Sequence, residues 1–130
     1  MRLETSKTSV QKNAKELFGL LENVATFEQL MPDNISKFKL LTNDSFMFSL
    51  KGMPEIYLEK KSSAPYSQLV LGEANGKITF QLTTNITEIS NNESEVQLFF
   101  EGNFNPVMAM MVKTPISKFM ETLVTKMQTL

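Results

Sequence analysis

A chain of 130 residues, 42% apolar and 21% charged, with a formal net charge of −1, has the composition of a globular protein able to bury one sizeable core. The near-neutral charge argues against nucleic-acid binding, which rests on phosphate neutralisation, and no basic run is longer than Lys60-Lys61. With neither cysteine nor histidine, the chain offers no disulfide, no Cys/His zinc site and no histidine-dependent nucleophile, so no metal, no cofactor and no catalytic residue is assigned.

The first ten residues, MRLETSKTSV, lack the apolar run of a secretory signal. No stretch approaches the ~18–20 apolar residues of a membrane span. The expectation is a cytoplasmic protein without stable membrane insertion. A short strand is expected over residues 2–7. Thr8 and Gln11 have capping-box spacing, and Val10, Ala14, Leu17, Phe18 and Leu21 recur at helical intervals, which predicts a helix over about 9–22 ending near Asn23. Thr26 and Gln29 repeat that spacing ahead of Phe27, Leu30 and Met31, and Pro32 closes a second, short helix.

From residue 35 to 104 the period changes to two, predicting six strands separated by turn residues at hairpin lengths. A Thr42–Asp44 turn pairs Leu40 with Phe46 and Phe38 with Phe48. A Ser62–Pro65 turn pairs Leu58 with Leu69 and Ile56 with Leu71. An Asn75-Gly76 turn pairs Leu71 with Phe80 and Leu69 with Leu82. A Ser90–Asn92 turn pairs Leu82 with Phe100 and Ile86 with Val96. Each hairpin sets apolar against apolar on one face. The other face carries Ser45, Ser49, Glu59, Gln68, Thr79, Gln81, Thr83, Gln97 and Glu101 and reads as solvent-facing. Tyr57 and Val70 are expected as cross-strand neighbours there, near Met47 and Phe99, leaving room for a weak homodimer contact on an otherwise monomeric protein.

The last segment opens with Asn105 as cap and Pro106 at the first helical position. Ile116, Phe119, Met120, Leu123, Val124 and Met127 then form a broad apolar stripe. Pro115 cannot donate to Met111, which predicts a bend there or a restart with Thr114 as cap.

This order resembles the helix-grip fold of the START-like superfamily, also called SRPBCC, which includes the birch-pollen allergen and polyketide cyclases. The resemblance spans residues 1–130 as one domain. It is carried by TSVQKNAKELFGLLEN after the first strand, FEQLMPD closing the helix pair, and NFNPVMAMMVKTPISKFMETLVTKM as the long helix. It implies an α+β architecture in the order β-α-α-β6-α, with the last helix across the concave face of a curved antiparallel sheet. It also implies a cavity between them for a small hydrophobic ligand. The expected lining is Met108, Met111 and Phe119 on the helix, Phe46, Phe48, Leu58, Leu69, Leu82 and Phe100 on the sheet, and Leu30 and Met31 from the short helix. Methionine suits either a deformable pocket wall or an irregular core.

Lys60, Ser67 and Thr84 are expected in one inward row. There Lys60 and Thr84 would bind a ligand's polar end, with Lys60 facing a carboxylate or phosphate; the same residues also fit strand ends whose lysine stem runs out to solvent. Gly102, opposite Phe80, reads as a strand bend or as room for a ligand. Binding or transport of a lipid-like or polyketide-like molecule is the leading functional reading. The alternatives are a cyclase or aromatase drawing on Glu73, Lys60 or Tyr66, and a co-chaperone-like interaction module.

Overall fold

The computed structural model describes residues 1–74 and 79–130. Two short strands, β1 (Arg2–Glu4) and β2 (Thr8–Val10), precede helices α1 (Ala14–Glu22) and α2 (Phe27–Leu30), which are joined by a 3₁₀ turn at Val24–Thr26. The six strands follow as β3 (Ile35–Thr42), β4 (Ser45–Leu50), β5 (Ile56–Ala64), β6 (Gln68–Glu73), β7 (Phe80–Ser90) and β8 (Glu93–Gly102), and α3 (Pro106–Met127) ends the fold. The sheet is antiparallel and curved, in the order β1-β8-β7-β6-β5-β4-β3, with β2 also on β8. This is the α+β helix-grip fold.

The N-terminal segment departs from the sequence expectation. Thr8–Val10 does not open a helix but pairs with Ser94–Val96 of β8. Thr5 joins β1 and β2 into one interrupted edge strand: its amide donates to the Leu98 carbonyl at 3.0 Å, and its hydroxyl accepts from the Leu98 amide at 3.0 Å. Helix α1 therefore starts later, capped by Asn13, whose Oδ1 accepts from the Glu16 amide at 2.9 Å. Asn23, not Thr26, supplies the next side-chain cap, accepting from the Ala25 amide.

Two hairpins have the expected registers: Phe38↔Phe48 and Leu40↔Phe46 in one, Leu82↔Phe100 and Ile86↔Val96 in the other. Two do not. Strand β5 continues to Ala64, so the chain reverses at residues 65–67, with Tyr66 at φ 79°. A register shift lies between Lys60 and Ser62, and Leu58 consequently faces Glu73 while Lys60 faces Leu71. The Asn75-Gly76 turn lies outside the described residues, but the ladder beside it pairs Leu71 with Leu82 and Leu69 with Thr84. These slips, of four residues up to Lys60 and of two on β6–β7, keep those side chains on their expected face, because alternation repeats every two residues, whereas the irregularity after Lys60 shifts Ser62–Ala64 by one more.

Tyr57 and Val70 are not neighbours: Tyr57 pairs with Met47, and Val70 lies between Ser62 and Thr83. The outer face is also less open than expected on β4, where Ser45, Met47 and Ser49 are buried. Ser49 Oγ donates to the Met53 carbonyl at 3.2 Å, and Ser45 shares a hydrogen bond with the Thr42 hydroxyl at 2.7 Å.

Helix α3 is capped by Asn105, whose Oδ1 accepts from the Met108 amide at 2.9 Å, with Pro106 at its start. It runs unbroken through Pro115, so Thr114 does not cap a second helix. Its second half carries the predicted stripe into the core. There Phe119 stacks on Phe48 at 4.7 Å, and Phe27, Phe46 and Phe48 continue the ring column through α2 and β4. Lys126 Nζ donates to the Met31 carbonyl and ties α3 to the end of α2. Below Met120 the helix closes on the core through Leu123, Val124 and Met127, whereas most of its first half is exposed.

Candidate functional site

A cavity of about 450 Å³ lies between the first half of α3 and the sheet. Its helix wall is Met108, Met111, Val112, Ile116, Phe119 and Met120. Val112, Ile116 and Met120 recur every four residues, so the stripe that fills the core lower down turns its upper members to the void. The sheet contributes Phe48, Ile56, Leu58, Phe80, Leu82 and Phe100, and the connections contribute Gly52, Met53, Pro54 and Phe104. Ring packing stiffens this wall: Phe80 stacks on Phe100 at 5.7 Å and Phe100 on Phe104 at 6.0 Å. Gly102 makes room for that column, because a Cβ there would strike the Phe104 ring and press on Phe100. The space beside Gly102 is thus occupied by Phe104.

Among the described residues, Glu55 and Tyr57 are the wall's only members with polar side chains. Strand alternation turns Tyr57 away from inward-facing Ile56 and Leu58, so it borders the cavity at the rim. On the outer face the Glu55 carboxylate accepts from the Tyr57 hydroxyl at 3.0 Å and from Lys37 Nζ at 2.9 Å. That hydrogen bond is the main reason the Tyr57 phenol is held above its ordinary pKa, with desolvation and the Glu55 charge adding to it. The hydrogen bond to Glu55, then its charge, likewise raises Lys37.

Of the sequence-predicted ligand contacts, Phe48, Leu58, Leu82, Phe100, Met108, Met111 and Phe119 meet at this cavity. The others do not line it. Leu30, Met31, Phe46 and Leu69 are packed in the core. Thr84 is buried between Leu69 and Leu98. Lys60 forms an ion pair with Asp44 at 3.2 Å, and its amide donates to the Asp44 carbonyl. Lys60, Thr84 and Ser67 also occupy three different rungs, opposite Leu71, opposite Leu69 and beside Ile86, rather than one row. The shifted β5–β6 register separates them. The sequence-predicted lining omits Gly52, Met53, Pro54, Glu55, Ile56, Tyr57, Phe80, Phe104 and Val112, and it leaves Ile116 and Met120 in the helix's core stripe. The helical spacing to Ile116 could have revealed Val112, whereas the Gly52–Pro54 connection carries no signal of its own.

No family model matches the chain, and no curated protein matches it in sequence. Its structure is similar to several solved ones. A START superfamily protein from Mycobacterium smegmatis superposes with a TM-score of 0.76 at 13% identity, over 98% of this chain and 94% of that one. The protein XoxI from Bacillus cereus gives 0.76 at 12% identity, over 98% and 93%. Truncated norcoclaurine synthase from Thalictrum flavum gives 0.77 at 9% identity, over 98% and 91%. At such identities the likeness is one of fold, the START-like helix-grip architecture.

Proposed function

We propose that the protein binds a small, uncharged hydrophobic molecule between α3 and the sheet, as a carrier or sensor. The observation that supports this is an apolar cavity of about 450 Å³, within the ~300–1,000 Å³ usual for small-molecule sites. Its phenylalanine walls offer ring edges and faces to an aromatic or aliphatic guest, and its methionines can adjust to the guest's outline. Removing the guest's apolar surface from water supplies roughly 25 cal/mol per Å² before ordering costs. Lys60 lies off the cavity wall and pairs with Asp44, so recognition of an anionic head by Lys60 is not part of this reading. Norcoclaurine synthase, which shares the fold, has been solved in complex with dopamine and hydroxybenzaldehyde, an instance of small aromatic molecules held by a related architecture. Proton-shuttling chemistry needs facing polar side chains, and the described inner wall presents apolar ones.

The test is titration with an environment-sensitive apolar dye, followed by displacement with neutral aromatics and fatty acids. Wild type and Lys60→Ala should bind saturably and alike. Val112→Trp, which fills the space from a half-buried wall position, should lose binding. Absence of saturable binding in the wild type, or undiminished binding in Val112→Trp, would reject the reading.

A further inference from the structure

Helix α3 begins with an anomaly. Over residues 106–112, PVMAMMV, it is apolar all round, and such a helix is normally buried. Here Val112 and Met108 face the cavity, while Val107 and Met111 are 71% exposed and Met110 is 83% exposed. At 100° per residue Val107 and Met110 fall on the side away from cavity-facing Met108 and Val112, and Met111 on the flank, so closing the helix onto the sheet would not cover Val107 and Met110. The exposed patch is on the order of a few hundred Å², short of the ~800 Å² per partner of a stable protein interface. That argues against a second copy as its cover.

The charge along this stretch of chain is one-sided. Residues 102–120 contain no carboxylate, and their charged side chains are Lys113 and Lys118. Across the cavity, the connection that supplies Gly52, Met53 and Pro54 begins with exposed Lys51. The carboxylate nearest in that connection, Glu55, is held by Lys37 at 2.9 Å. Among the described residues neither Lys51 nor Lys113 forms an ion pair, and an apolar surface flanked by such lysines matches an anionic lipid surface, where buried side chains and headgroup attraction add. Met108 and Met111 belong to both the exposed patch and the cavity wall, so the patch opens onto the cavity.

We infer that the first two turns of α3, with the Lys51–Pro54 connection, form a shallow docking surface for anionic membranes. Val107, Met110 and Met111 enter the headgroup region while Lys51 and Lys113 contact lipid phosphates. The inference rests on the proposed ligand-binding reading only in making the docked face the cavity's mouth. Val107 and Met110 do not line the cavity, so the two ideas fail separately.

The experiment is cosedimentation of the full chain with vesicles of phosphatidylcholine alone, or mixed with phosphatidylglycerol, at low and high salt. Dye titration and sedimentation-velocity ultracentrifugation are run on the same proteins. Wild type should sediment with the mixed vesicles, more weakly in high salt, and poorly with phosphatidylcholine. The Val107→Ser/Met110→Ser variant should lose at least about tenfold in partitioning with dye binding intact, because the loss of two inserted apolar groups weakens interfacial binding. Lys51→Gln and Lys113→Gln should each lose roughly fivefold, following about 1 kcal/mol per basic residue at such a surface. Equal sedimentation of wild type and the double variant, or none by wild type, would overturn the inference. So would a wild-type dimer that the double variant dissociates, which would make a second copy the cover.

Discussion

Leu69 and Leu82 face the same side of the sheet, but Leu69 is sealed in the core whereas Leu82 borders the void. Large-to-small core substitutions cost ~2–5 kcal/mol according to how many packed atoms lose partners. Leu69→Ala should fall near the top of that range and Leu82→Ala near the bottom, as read from denaturant unfolding; equal costs would mean that Leu82 is packed as tightly as Leu69. Gly102→Ala should cost ~1–3 kcal/mol by overpacking the Phe100–Phe104 column, since the ring beneath must shift. Tyr57 offers a spectroscopic check. Its folded pKa is raised by Glu55, so the neutral phenol is the form that the fold favours. That contribution is present below the ordinary pKa of ~10 and is lost as pH climbs through the higher folded value. In a Tyr66→Phe background, phenolate absorbance should appear above pH ~10, and Glu55→Gln should bring it down.

At the scale of elements, side-chain alternation fixes which face a residue occupies but not its partner. The face assignments of β5, β6 and β7 were legible because shifts of two or four residues leave them unchanged. The partners were not legible, because Ser62–Ala64 looks like a turn yet extends β5. That extension sets Lys60 opposite Leu71 and off the rungs of Ser67 and Thr84. At the N-terminus, capping-box spacing at Thr8 competed with a free edge on β8, and sheet hydrogen bonding prevailed over residues 8–10. Helix α3 carries a further test. Pro115 lies inside it and denies the Met111 carbonyl its helical donor. Pro115→Ala should therefore stabilise the protein by roughly 1–3 kcal/mol, seen as a higher unfolding midpoint. An unchanged or lower midpoint would mean that the surroundings already compensate the missing bond.

Across the whole molecule, packing is divided. Helices α1 and α2, the second half of α3 and most of the inward sheet residues close on one another, with the phenylalanine column at the centre. The opposite end, under the first half of α3, is not filled. The helix-grip order was legible because the change in hydrophobic period and the proline and asparagine punctuation survive in one sequence. Which inward residues would line a void was only partly legible, because core and cavity wall are built from the same apolar types. Phe46 and Phe48 differ by two positions on β4, yet the first is core and the second meets the cavity. Among the described residues no helix is long and apolar enough to cross a membrane.

The nine methionines provide the most direct test of the cavity as a binding site. Met53, Met108, Met111 and Met120 line it, whereas Met31, Met47 and Met127 are packed away from it and Met110 points to solvent. Methyl spectra of ¹³C-methyl-methionine protein should be recorded during titration with a small neutral aromatic compound. Saturable shifts are expected at Met53, Met108, Met111 and Met120, with Met31, Met47 and Met127 nearly still. Shifts confined to Met110, or no saturable shift at any of the four wall methionines, would contradict the cavity's role as a binding site.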